Sequence, residues 1–369
     1  MKLSPFRKIQ IFAIAFCIAI SSASGYYYMQ SEEYRRTLEM KEDPTTVKRT
    51  TFDTGSLSED ELSHRLKLFP PVYKASLHFY AEKPNMGMYT VPGLDATRSL
   101  KDGKYDMCTR MTPQGLCVTD NYIIISAYCH SHLHNSMLFI LDKESHKFVK
   151  EIILPGKPHA GGLAYDPKRK EIWIASKKGG IPELCILAAE QIEAYSRILD
   201  KPIKYKYRYA LPSLKNASYL TYHDDRIYVG TFSFEPKDCK LQVFSLKRIN
   251  NAKEKEDGRY FIFEKQMYTD DKVQGVALDS SFLYFSRSDG PYQNSKLDVY
   301  ENWVTEIPET FALVSYSFPE RMEQIYLDKD KMYILFESAS NAYNQIGINF
   351  IDRVLVLNRN ELLKTRPSG

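Results

Sequence analysis

Hydrophobic and polar positions recur in one order five times along the chain. In MTPQGLCVTDNYIIIS, KPHAGGLAYDPKRKEIWIA, LKNASYLTYHDDRIYVG, DKVQGVALDSSFLYFS and RMEQIYLDKDKMYILF a polar residue comes one or two places before a small or apolar one. A short apolar run, an Asp-containing turn and a second apolar run follow, which predicts pairs of antiparallel strands. The aligned polar residues are Gln114, His159, Asn216, Gln274 and Glu323, separated by 45, 57, 58 and 49 residues. That period accommodates one four-stranded propeller blade with loop insertions.

The ends of the repeats agree. IILPG (152–156), YALPS (209–213) and YSFPE (316–320) each close on a Pro just past the last apolar position, where the missing N–H costs least. The fourth repeat ends instead in FIFEKQMYTDD. A further copy, YTVPG (89–93), precedes the first repeat, while the last repeat has strands for only three positions and a short polar tail. Residues 88–91 are therefore expected as the outer strand of the last blade, so that the ring leaves no free sheet edge. The expected fold is all-β: a five-bladed propeller over 77–369, closed by an N-terminal strand, after a linker with a short helix over 25–76. Runs such as YIIIS, EIWIAS and RIYVGTF, in a chain with 27 Tyr and 13% aromatic residues, suit strands.

Residues 1–24 read as a signal peptide or membrane anchor. Lys2, Arg7 and Lys8 precede an apolar run over 9–20 broken only by Gln10, and small residues follow at 21–24. The run falls short of the roughly 20 residues that span a bilayer, although continuing through 25–29 allows an uncleaved anchor. Phe16 before Cys17 does not suit a lipoprotein site. Export is expected, and membrane association only through this segment. Without the three basic residues of the leader, the net charge of +4 falls to about +1, which gives no support to nucleic acid binding. Ser58 and Glu61 form a capping box for the short helix.

Five cysteines remain beyond Cys17, at 108, 117, 129, 185 and 239, with no CxxC pair. Cys117 reads as a buried small apolar residue. Cys108 and Cys129 flank the first two strands of the first blade, and a disulfide between them is one option.

Inner strands of a propeller line its channel, so the five aligned residues are expected to ring one mouth. One imidazole, one carboxyl and three amides can bind a polar ligand, and His159 with Glu323 can act as base and acid. Mutual hydrogen bonding around channel water is the bland alternative. Loops after each second strand add Tyr128, Arg287, Asp289, Tyr292, Asn294 and Asn344 as expected ligand-binding residues at or near the mouth. His130, His132 and His134 alternate, so an extended loop puts three imidazoles on one side, as a divalent zinc or copper site requires.

The run over 111–174, with TPQGLCVTDNYIIISAY, HNSMLFILDKESHKFVKEIILPGKPHAGGLAYD and IWIAS, resembles secreted or membrane-anchored bacterial β-propeller proteins of the YVTN/YncE-like class. The resemblance covers the first two blades and implies a propeller and export, with no reaction to carry over. Plant-type glutaminyl cyclases, also five-bladed, resemble Thr112 to Leu116 and Ser136 to Asp142, but their Glu before Gly at the next inner strand is here replaced by His159 and Ala160. Five-bladed glycosidases need carboxylates on several inner strands, and only Glu323 holds such a place. Two expectations follow. One is a propeller that binds or scaffolds a small molecule, sugar, peptide or partner protein at the channel mouth. The other is an enzyme, a lyase, lactonase or cyclase, that uses His159 and Glu323.

Overall fold

The computed structural model describes residues 57–80, 88–196, 201–249, 252–255, 257–290, 292–301 and 311–366. The expected leader therefore lies outside the described residues. Among the described residues, no helix is long and apolar enough to cross a membrane.

Strand β1 (Tyr89–Thr90) is followed by a hairpin of β2 (Thr97–Lys101) and β3 (Lys104–Cys108). Five four-stranded antiparallel sheets come next. The first is β4 (Met111–Val118), β5 (Tyr122–Cys129), β6 (Met137–Asp142) and β7 (Phe148–Ile153). The second is β8 (Leu163–Asp166), β9 (Glu171–Lys178), β10 (Ile181–Ala188) and β11 (Tyr207–Ala210). The third is β12 (Tyr219–His223), β13 (Arg226–Gly230), β14 (Lys240–Ser245) and β15 (Ile262–Tyr268). The fourth is β16 (Val273–Leu278), β17 (Phe282–Arg287), β18 (Ser295–Glu301) and β19 (Val314–Phe318). The fifth combines β20 (Met322–Asp328), β21 (Lys331–Phe336) and β22 (Arg353–Asn358) with β1, whose Tyr89 pairs with Val354 and Thr90 with Arg353.

These sheets are the five blades of a β-propeller. Inner strands β4, β8, β12, β16 and β20 touch in that order, and β20 returns to β4. The core is accordingly divided into layers between neighbouring blades. Leu116 and Ile125 of the first blade pack with Tyr333 and Val354 of the fifth. Cys117 and Ile140 pack with Leu163 and Ile174 of the second, and burial pushes the Cys117 thiol pKa up, as suits an inert apolar role. Alternation explains the arrangement, since successive side chains of a strand face opposite sides and so join opposite layers.

Among the described residues, two helices precede the ring where one was expected. α1 (Glu59–Lys67) starts on the expected box: Ser58 Oγ accepts from Glu61 N at 3.2 Å, and Ser58 N donates to the Glu61 carboxylate at 2.8 Å. Leu62 and Leu66 of α1, and Val72 and Ala75 of α2 (Pro70–Tyr80), pack against Leu355 and Leu357 of β22. Pro at the first position of α2 suits a helix start, where its missing N–H is not needed.

The β2–β3 hairpin, outside the blades, was not expected. Its turn is Asp102 and Gly103, both at positive φ (51° and 79°). Asp-Gly between two short strands is the residue pair that such two-residue turns favour.

Candidate functional site

The inner strands aim their polar residues by breaking register. Pro113 pairs with Ala127 and Gly115 with Ser126, so Gln114 is skipped. Val273 pairs with Arg287 and Gly275 with Ser286, so Gln274 is skipped. In the last blade Met322 pairs with Phe336 and Ile325 with Ile334, which skips Glu323 and Gln324. A bulge of this kind turns a side chain out of the sheet's alternation. His159 and Asn216 precede β8 and β12 in the lead-in segments. All five aligned residues line one cavity of about 410 Å³, together with Tyr128, Lys177, Phe232, Glu337 and Tyr343 among others.

One cluster in this lining is ionic and buried. Glu337 accepts from Arg321 at 2.9 Å and from the Gln114 amide at 2.8 Å, and the Arg321 guanidinium lies 3.7 Å from the centre of the Tyr343 ring. Burial raises the Glu337 pKa to about 7, against the lowering effect of Arg321 and Gln114. Glu323 is buried beside them, and among the described residues its carboxyl has no hydrogen-bond partner. Burial first, then the nearby Glu337, raises its pKa well above the carboxylate range. One guanidinium cannot neutralise two buried carboxylates, so the pair retains a proton, and Glu323, which has no direct bond to Arg321, is the group that keeps it.

Aromatic rings adjoin this cluster. Tyr128 stands 4.2 Å from the His159 ring, centre to centre, and its hydroxyl is 3.2 Å from His130 Nδ1, which the Tyr343 hydroxyl also approaches at 3.3 Å. The His159 ring is open to cavity water, yet protein surrounds the cavity. That surrounding, followed by His132 and His130, lowers its pKa to about 4, so the ring is neutral at pH 7. Lys177 at the rim donates to Asn216 at 3.1 Å. The Gln274 amide has no hydrogen-bond partner among the described residues.

Below this lining sits Gln324. Its Oε1 accepts from Leu116 N and Leu163 N, both at 2.8 Å, and its Nε2 donates to Leu163 O at 2.6 Å and Leu220 O at 3.0 Å. A side chain from the fifth blade thus binds the inner strands of the first three. All four hydrogen-bonding positions of the amide are used.

Several expected site residues lie elsewhere. Arg287 is bound by Asp270, Asp271 and Asp298, and Asp289 pairs with Lys272 at 2.6 Å. Those two and Asn294 border a separate hollow of about 100 Å³. Tyr292 is largely exposed, and Asn344 donates to Asn341 at 3.1 Å. Ion pairs and turns engage these side chains elsewhere, and of the expected loop residues only Tyr128 lines the cavity.

The three alternating histidines are not brought together. The chain turns after Cys129 and His132 takes a positive φ of 55°, so the extended alternation fails. His130 faces Tyr128 and Tyr343, whereas His134 is buried against Cys129 and Asp106. Cys108 and Cys129 are reduced, and the optional disulfide is not formed.

Glu337, Arg321, Tyr343 and Phe232 were missed by sequence reasoning. A signal for Glu337 existed: it directly follows the second strand of its blade, as His130 does, and the N–H groups of both bond to the carbonyl of an arginine, Arg321 and Arg110 respectively.

The pairing of strands and the lined mouth define a five-bladed β-propeller with a polar central cavity. No protein-family model and no curated protein matches the chain. Solved structures that resemble it include Kuenenia stuttgartiensis hydrazine synthase, at 10% identity over 60% of this chain, with a TM-score of 0.35. The match spans 55% of that chain. A nidogen/laminin complex matches at 13% identity over 68% of this chain and 84% of the other, with a TM-score of 0.35. The WD40 repeats of RRP9 match at 10% identity over 67% and 78%, with a TM-score of 0.36.

Proposed function

We propose that this chain is an exported binding propeller, of the kind its first two blades resemble, that holds a small uncharged polar ligand at the channel mouth. Propellers commonly serve binding or scaffolding. The observation that carries the reading is a polar cavity with hydrogen-bonding capacity to spare. Gln274 and the protonated Glu323 carboxyl line it without side-chain partners among the described residues, and Tyr128 lines it as well. Away from Lys177 at the rim, Glu337 and Arg321 offset one another and His159 is neutral, so the deeper lining favours neutral donors and acceptors over a strong ion. A saccharide or a peptide amide has that chemistry.

Thermal unfolding in the presence of neutral saccharides and amidated dipeptides tests this reading. A ligand at about 100 times its Kd stabilises the folded state by about 2.7 kcal/mol. A rise in Tm that is lost in Gln274→Ala and kept in Asn344→Ala supports the cavity as the site. If no ligand raises Tm, or if the rise survives Gln274→Ala and Glu323→Gln together, the reading is wrong.

A further inference from the structure

Away from the cavity, three buried side chains converge at the edge of the first blade. Cys108 ends β3, Cys129 ends β5, and His134 lies in the loop that follows. All three are buried, and the two sulfurs and one imidazole nitrogen lie within 4.8 Å of one another. His134 Nδ1 is 3.3 Å from Cys129 Sγ, and its Nε2 is 3.2 Å from Asp106 Oδ2.

We propose that Cys108, Cys129 and His134 bind one thiophilic d¹⁰ ion, Zn²⁺ or Cu⁺, which fastens the β2–β3 hairpin to the first blade. The donors are of the right kind, since thiolate and imidazole select these ions over hard cations. Their separation is also right. With metal–sulfur bonds of about 2.3 Å and metal–nitrogen bonds of about 2.0 Å, ligand atoms sit about 3.5 to 3.8 Å apart, a small contraction from the present spread. Asp106 supplies the outer partner: with Nε2–H donated to a carboxylate, Nδ1 carries the lone pair toward the sulfurs. The position has mechanical meaning. The hairpin meets the loop through Asn135 N donating to Leu100 O at 2.8 Å and Ser99 Oγ to Asn135 O at 2.7 Å, and a metal would add bonds from both sides to these weak ties.

The experiment is anaerobic titration of the reduced full chain with Co²⁺ as a spectroscopic stand-in, followed by competition with Zn²⁺ and Cu⁺. One equivalent of Co²⁺ with a thiolate-to-cobalt charge-transfer band, displaced by either ion, is the expected result. Cys108→Ser weakens the band, and Asp106→Asn, which leaves all three ligands in place, lowers affinity about tenfold. Circular dichroism of each variant separates loss of metal from loss of fold. Absence of the band in folded wild type overturns the proposal, as does a band unchanged in Cys108→Ser. A Cys108–Cys129 disulfide in the purified protein that persists in the presence of metal and reductant overturns it as well.

Discussion

Glu323 and Glu337 lie close enough for the second to raise the pKa of the first, and the buried Arg321 guanidinium bonds directly to the second alone. The folded protein therefore keeps a proton that the unfolded chain gives up.

The consequence is a pH dependence of stability. A carboxyl whose pKa rises on folding contributes stability that is fully present below its unfolded value of about 4.5 and is lost as pH climbs through about 7, the value for Glu337. His159, lowered to about 4, acts in the opposite sense, because its contribution is present above 6.5 and lost as pH falls through 4. Comparison with Glu323→Gln isolates the proton held by Glu323, because Glu337 titrates in both proteins. The variant is expected to gain on wild type as pH rises from 4.5 to 7, by up to about 1.4 kcal/mol per pH unit for one proton. Urea unfolding at several pH values reads this, and a difference that stays flat would show that the pair holds no extra proton.

Gln324→Ala removes four bonds and leaves buried N–H groups of Leu116 and Leu163 and buried carbonyls of Leu163 and Leu220 without that partner. Each such orphan costs about 1 to 3 kcal/mol, so we expect a loss on the order of 4 kcal/mol with partial relaxation. Gln324→Glu is the sharper variant. Its carboxylate accepts as before but faces two carbonyls it cannot serve, so its deficit should be larger at pH 7 than at pH 4. Equal deficits at both pH values would mean that the amide is not donating there.

Gly275 is where the chain has no room for a side chain. An added Cβ would come within 2.7 Å of Ser286 Oγ and 2.9 Å of Gln324 Cα. Ser286 uses that space to donate to Glu323 O at 2.6 Å, a bond between blades. Gly275→Ala is expected to cost about 2 kcal/mol. Adding Ser286→Ala relieves only the hydroxyl contact, so the double-mutant cycle should show a coupling of about 1 kcal/mol. Strict additivity would place the strain elsewhere.

Val91 N donates to Asp352 O at 3.0 Å beyond the two paired residues of β1, and the Tyr89 hydroxyl reaches Lys143 O at 2.7 Å. Val91→Pro deletes the first bond while β22 loses its cover. A destabilisation of about 2 to 3 kcal/mol is expected, with concentration-dependent association through the opened edge. Light scattering and denaturant unfolding together check it. A monomeric variant of wild-type stability would show that this strand does little for the ring.

Much of this was legible because strand periodicity is local. Five repeats, their turns and the outer strands follow from side chains that alternate between layers, and the polar residue at each strand start aligns by eye. The chemistry around them was less so. Gln324 lies one place past the aligned Glu323 at the start of an inner strand, and its partners come from three other blades, which no window of sequence contains. Arg287 looked like a ligand group until its three aspartates were placed, two from the lead-in to β16 and one from β18. The histidines failed for a local reason: alternation predicts one face only if the backbone stays extended, and here it turns.

The glutamine at the axis also bears on how the chain is made. Its partners precede it by 208, 161 and 104 residues, so during synthesis three inner strands emerge long before the amide that satisfies them. Early blades must wait with those backbone groups solvated or provisionally paired. The final tightening of the hub belongs to the moment when the last blade arrives, which makes the last three strands, from Met322 onward, the step on which completion of the whole ring depends.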